Sequence, residues 1–182
     1  MKHLKTVQNL LISTIILLAG FAAFAVFPST IHAQDNGVTL TLPSLGLSVP
    51  VGEIGTRQLA DGSTIWDMQN QGMNIGHLSG TAWLDTPGNM VIAGHSELAQ
   101  RVHGTFYTLD QMKTNDTFTL SFGSETRQYT VTQVYTVDLS DLSPLYPTAD
   151  ERVTLITCDT GSYTASTGVY NKRIIVVGQR SG

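Results

Sequence analysis

The stretch ERVTLITCD, Glu151 to Asp159, holds the chain's only cysteine, Cys158, at the end of a run of β-branched and aliphatic residues. Val153 to Thr157 favour extended backbone, and the run is apolar enough to read as a strand central in its sheet. A second run of the same kind, KRIIVVG (Lys172 to Gly178), follows after the 13 residues Asp159 to Asn171. Working outward from this pair, two-residue periodicity dominates the chain beyond residue 37. VTLTLPS (Val38 to Ser44) alternates and stops at a proline. GNMVIAGH (Gly88 to His95) is entered through a turn at Pro87 to Asn89. DTFTLSF (Asp116 to Phe122) alternates and turns at Gly123. RQYTVTQVYTV (Arg127 to Val137) sets Tyr129, Val131, Gln133, Tyr135 and Val137 on one face. Helix signals are confined to one or two turns in Phe106 to Met112 and one in Glu97 to Arg101. Many short strands with Gly, Pro, Asn and Asp between them predict an all-β sandwich or barrel. Two long irregular loops, Asp138 to Asp150 and Asp159 to Asn171, flank the cysteine strand, and loops of that length in a compact domain are usually functional.

The N-terminus sets the compartment. Lys2 and Lys5 precede a charge-free run from Leu10 to Phe27, and IHA ends at Ala33. This is the pattern of an export signal cleaved near Ala33, or of an uncleaved membrane anchor with a basic cytoplasmic end. Either way residues 34–182 are expected outside the cytoplasm as one domain, large enough to bury a core without disulfides. That domain keeps 8 basic and 14 acidic residues. Its net negative charge argues against a nucleic-acid partner, which requires a positive field.

A single thiol in an oxidising compartment is either reactive or paired with another chain. To act as a nucleophile it needs a base or a cation nearby, because free cysteine is mostly protonated at neutral pH. His95, at the end of a strand and next to Gly94, is the first candidate partner. Arg173 is the fixed cation: it opens the strand that follows the cysteine strand, and antiparallel pairing of the two would bring it opposite Cys158. Each residue also has an ordinary reading, Cys158 as a small core residue, His95 as a turn cap and Arg173 as half of a surface ion pair. Their common placement at strand ends beside loops favours chemistry. His77 and His103, in glycine-bearing loops, read as solvated turn residues. No HExxH or CxxC spacing supports zinc. Asp138, Asp141 and Asp150 are the acids from which a calcium site would have to be built, although scattered loop acids ordinarily stay solvated, so no cofactor is expected.

Together these segments resemble the sortases, cysteine transpeptidases of bacterial cell surfaces. TLITC resembles the family's TLxTC signature, GNMVIAGHS its Gly-Asn…Gly-His segment and NKRIIVVG its arginine strand. The order is also the family's: His95, then Cys158 63 residues on, then Arg173 15 further. LTLPSLGLSVPV (Leu40 to Val51) resembles the opening strand, and GTFYTLDQMKTNDTFTL (Gly104 to Leu120) the segment after the histidine. The likeness runs from about Val38 to Gly178.

The resemblance implies a closed eight-stranded β-barrel with short helices or 3-10 turns. It implies Cys158 as nucleophile, His95 as the acid that protonates the leaving amine, Arg173 as the clamp on substrate and oxyanion, and Thr157 as a lining residue that helps with the acyl carbonyl. Substrates would be proteins bearing an LPxTG-like sorting signal, passed to an amine on a cell-wall precursor or another protein. Asp159, Gly161 and Ser162 are expected to bind substrate, with the loop Asp159 to Asn171 as one wall of the peptide groove. Pilus-building sortases often carry a lid and a C-terminal membrane helix. Only Gln34 to Gly37 separate the export segment from the first strand here, and the sequence stops at Gly182. The chain therefore looks closer to the class D, E and F types, for which Ala or another residue may replace the motif's first Leu. Two other readings compete, a non-catalytic exported β-domain and another exported cysteine acyl-transferase. L,D-transpeptidases carry a Ser-x-Gly-Cys pattern that is absent, and papain-like enzymes place Cys before His, at a helix start.

Overall fold

The computed structural model describes residues 37–99 and 102–181, which belong to one unit, His32–Gly182. The expected export segment, residues 1–33, lies outside the described residues. Within those residues no helix is long and apolar enough to cross a membrane.

Twelve strands form: β1 (Val38–Leu42), β2 (Leu47–Ile54), β3 (Thr56–Gln58), β4 (Thr64–Trp66), β5 (Ile75–Leu78), β6 (Asn89–Gly94), β7 (Thr117–Phe122), β8 (Glu125–Asp138), β9 (Arg152–Cys158), β10 (Tyr163–Thr164), β11 (Val169–Tyr170) and β12 (Lys172–Arg180). Eight of them close a barrel in the order β1-β2-β5-β6-β9-β12-β8-β7, while β3-β4 and β10-β11 are two-stranded appendages. Closure gives every barrel strand a hydrogen-bonded neighbour on each side. Neighbours are antiparallel except β2–β5 and β6–β9. Each parallel pair requires a crossover, made here by the β3-β4 hairpin and by the long excursion through β7 and β8.

The alternation read in the sequence becomes an inside and an outside. Val38, Leu40 and Leu42 of β1, Met90 and Ile92 of β6, and Val153 and Leu155 of β9 fill the barrel with Phe106, Leu109, Phe118 and Tyr129. Each side chain of this kind contributes about 1.5–3 kcal/mol on full burial. Gly178 belongs to this interior: a Cβ there would collide with the Phe118 ring. A second apolar cluster, Ile54, Leu78, Val91 and Ala93 with Trp66, Met68, Leu145 and Ile156, sits on the opposite face of the same strands.

Four expectations are corrected. The single face of β8 does not run its length, because the β8–β12 register shifts between Val177 and Gly178, pairing them with Gln133 and Val131. The bulged Thr132 inverts the alternation, so Tyr129 and Val131 are buried, Gln133 and Tyr135 are exposed, and Val134 packs on the core. His77 is no solvated turn residue. It lies buried in β5, between β2 and β6, with Nε2 2.9 Å from both the Ala82 carbonyl and the Thr81 hydroxyl and its ring 4.2 Å from that of Trp83. Glu97 forms a bridge with His103 in place of a helical turn; residues 100 and 101 lie outside the described residues. The two loops beside β9 are also partly ordered, by 3-10 turns at Ser143–Leu145 and Thr160–Ser162 and by the β10-β11 hairpin. The helical signal in Phe106 to Met112 yields the 3-10 turn Leu109–Gln111.

Candidate active site

Strands β6, β9 and β12 are consecutive in the barrel. Because β6 and β9 run parallel, their C-terminal ends share one rim; because β12 runs antiparallel to β9, its first residues lie on that rim too. The register pairs Ala93 with Ile156. Continued by two residues, it brings His95 level with Cys158. On the other side Cys158 is paired directly with Arg173. Side-chain parity agrees. Met90 and Ile92 face the interior, so Val91, Ala93 and His95 face out; Val153 and Leu155 face in, so Ile156 and Cys158 face out. Val176 faces in, and Arg173 out. The three residues therefore converge on the outer face of the barrel, over the second apolar cluster.

Local contacts hold each of them. The His95 ring has Nε2 2.9 Å from the Met68 carbonyl. A carbonyl only accepts, so Nε2 carries the hydrogen, and Nδ1 is the ring nitrogen with no hydrogen bond among the described residues. The backbone around His95 is tied by the Phe106 amide donating to the His95 carbonyl at 3.1 Å and the Gly104 amide donating to Ser96 at 2.7 Å. Gly104 passes so close that a Cβ would overlap the His95 carbonyl. Arg173 donates from Nη1 to the carbonyls of Tyr170, at 2.8 Å, and Lys172, at 2.9 Å. Thr157, buried in the adjoining inward position, donates its hydroxyl to the Gly94 carbonyl at 2.9 Å and so laces β9 to β6 next to Cys158 and His95. The Cys158 thiol is half-buried. Burial pushes its pKa up, and the Arg173 cation pulls in the opposite direction with smaller effect.

A groove of about 380 Å³ opens over these residues. Its floor is Leu78, Ala93 and Ile156; one wall is Trp66 and Met68, the other Leu139, Leu142 and Leu145; His95, Thr157, Cys158 and Arg173 form one end. Composition and periodicity did not single out Trp66, Met68, Leu142 or Leu145. The one usable signal was the cluster of exposed-position apolar residues in the Asp138 to Asp150 loop.

The other expected site residues lie elsewhere. Asp159 caps the turn Thr160–Ser162, its Oδ1 accepting from the Gly161 amide at 2.9 Å. The Ser162 hydroxyl donates to the Asp159 carbonyl at 2.7 Å and accepts from the Lys172 amide at 3.0 Å. Gly161 lines a separate cavity with Glu97, Thr160, Tyr163, Gly168 and Tyr170. Within it the Tyr170 hydroxyl donates to Glu97 at 2.8 Å, and burial together with that carboxylate pushes the phenol up to about 12. Thus the loop Asp159 to Asn171 lines this separate cavity, whereas the groove over Cys158 is walled in part by the loop that precedes β9. His103 is exposed and stacked on Tyr107. Among the described residues no three His, Cys, Asp or Glu side chains cluster to hold a metal ion. The Asp141 carboxylate accepts from the Ser143 amide at 2.9 Å instead.

A barrel of this topology carrying Cys, His and Arg on adjacent strand ends defines a class of protein, and comparison with known proteins identifies it. The family model described as Sortase domain matches residues 40–181; the chain belongs to the sortase family. It is 36% identical over 91 residues to Sortase A of Staphylococcus aureus, a match covering 49% of this chain and 43% of that protein. The chain therefore matches less than half the length of that curated relative. Among solved structures, sortase C-1 of Actinomyces oris is 27% identical with a TM-score of 0.61, covering 80% of this chain and 73% of the other. A sortase D5 transpeptidase of Clostridium perfringens shares the fold, with a TM-score of 0.61 at 22% identity over 84% of this chain and 82% of its own.

Proposed function

We propose that this protein is an extracytoplasmic cysteine transpeptidase that cleaves an LPxTG-like sorting signal and passes the acyl fragment to an amine. The observation that carries the reading is the convergence of Cys158, His95 and Arg173 on one rim of the barrel, at the end of an apolar groove. The Cys158 thiolate attacks the scissile Thr carbonyl, forming the C–S bond and a tetrahedral oxyanion. Arg173, with Nη1 anchored, aims its remaining N–H groups at that oxyanion. The proton that leaves the Cys158 thiol resides on His95 Nδ1 while Nε2–H stays on the Met68 carbonyl, and as the C–N bond breaks His95 gives that Nδ1 proton to the leaving amine. An acceptor amine then attacks the thioester, the C–S bond breaks, and His95 takes the surplus proton. The apolar floor suits the Leu-Pro half of the motif, and Thr157 borders the acyl carbonyl. We place the acceptor in the cavity lined by Glu97, Thr160, Gly161 and Tyr170, where the Glu97 carboxylate attracts an ammonium group.

Residues 1–33 serve as the export signal or anchor, and residues 34–182 as the catalytic domain at the cell surface. The short link to β1 favours a class D, E or F type, with Ala in place of the motif's first Leu as the variant to test. The experiment is intact-mass analysis of the purified protein mixed with Leu-Pro-Ala-Thr-Gly and Ala-Pro-Ala-Thr-Gly peptides. An acyl adduct on Cys158, absent in Cys158→Ala, is expected. Cleavage that persists in Cys158→Ala would overturn the assignment.

A further inference from the structure

The catalytic groove does not end where an LPxTG-like motif would. Trp66, Leu142 and Leu145, at its far end from Cys158, also line a second hollow of about 640 Å³ that continues along the outer face of the barrel. Trp83, Tyr146 and Pro147 are among its other apolar lining residues. Leu142, shared by the two, is 52% exposed and Tyr146, in the second hollow, 61% exposed, a large apolar commitment to solvent for a monomeric surface. The wall is also held rigid. The buried Asn89 side chain donates to the carbonyls of Pro144, at 2.8 Å, and Tyr146, at 3.0 Å, while its Oδ1 accepts from Thr154 at 2.7 Å. A buried amide spent on fixing a surface turn, with the aromatic ring turned outward, is preorganisation of a contact surface.

Resting on the transpeptidase reading, we infer that this hollow binds the substrate chain immediately N-terminal to the sorting motif and selects an apolar or aromatic side chain there. The direction follows from the chemistry. The scissile carbonyl sits at Cys158, and the fragment retained as thioester is the N-terminal one. Its Leu-Pro half occupies the apolar groove, so the chain preceding it leaves past Leu145 and Trp66 into the hollow. Recognition would then extend beyond the motif itself.

The test compares the gain from extension, defined as kcat/KM for an extended peptide over that for the bare motif peptide. The motif that forms a Cys158 thioester is prepared alone, with Ala-Phe-Ala in front of it, and with Ser-Gly-Ser in front of it. In the wild type the Ala-Phe-Ala extension should raise kcat/KM about tenfold, chiefly through KM, as expected for burying one aromatic ring in a preformed hollow, and Ser-Gly-Ser should leave it near one. Tyr146→Ala, at an exposed side chain whose backbone stays held by Asn89, should collapse the apolar gain toward one. An equal gain for both extensions, no gain in the wild type, or an undiminished gain in Tyr146→Ala overturns the subsite while leaving the transpeptidase intact. Failure of every peptide to form a thioester overturns the transpeptidase reading and the subsite with it.

Discussion

Replacing Arg173 with lysine separates charge from geometry. Two carbonyls, of Tyr170 and Lys172, hold Nη1, and Nε and Nη2 make no hydrogen bond among the described residues. The guanidinium is thus a fork with one tine anchored and the others available in fixed directions. An ammonium has three N–H groups; two of them spent on the same carbonyls leave one, at the end of a flexible stem. Loss of one oxyanion donor costs about 10²–10³ in rate, or roughly 2.7–4 kcal/mol. Arg173→Lys is therefore expected to lose about 10²-fold in kcat/KM, close to Arg173→Ala. The fold should survive both changes, because β12 is held by the buried Ile174, Ile175, Val176 and Val177 and Arg173 points outward. The assay is peptide cleavage by wild type and both variants at one pH, with thermal melts as a control on folding. A lysine variant within fivefold of wild type, at unchanged Tm, would refute the clamp and leave Arg173 a role through its field alone.

Burial raises the Cys158 pKa, with Arg173 opposing; the iodoacetamide alkylation rate should therefore rise with pH to a midpoint above the roughly 8.5 of a free thiol. Arg173→Ala should move that midpoint higher, and a midpoint at or below that of free cysteine would contradict the burial argument. Gly104→Ala places a methyl group against the His95 carbonyl. It should cost about 1–3 kcal/mol in chemical denaturation and displace His95, lowering kcat about tenfold or more; unaltered stability and turnover would show that the contact relaxes freely. His77 has its pKa lowered by burial, partly offset by its bonds to Ala82 and Thr81. The stability it contributes is complete above its unfolded value of about 6.5 and is lost as pH falls through the lower folded value. Tm should accordingly drop between about pH 7 and 5, with a shallower drop in His77→Gln; parallel slopes would remove His77 as the cause.

The identities of the strands that carry Cys158, His95 and Arg173, and the order of the three residues, were legible without coordinates, because β-branched runs ending at Gly, Pro or Asp are a local signal. The all-β class was legible for the same reason. Closure and side-chain placement were not local. Period two says which residues share a face, but both faces of β6, β9 and β12 are apolar at this rim, so only the barrel's closure decides that Leu155 faces in and Cys158 out. One bulged residue, Thr132, inverts half of β8, and no pattern in RQYTVTQVYTV announces it. The buried His77 depends on β5 pairing with β2, a parallel contact between segments more than 20 residues apart. Loop roles were likewise decided in three dimensions. Asp159 and Ser162 adjoin the cysteine in sequence yet spend their side chains on their own turn and on the start of β12, while Trp66 and Leu145, more distant from Cys158 along the chain, wall the groove. Chain proximity sets which residues can share a turn; which residues face a common cleft depends on strand order, because neighbours in a closed sheet are brought together by hydrogen-bond register across the barrel and not by position along the chain.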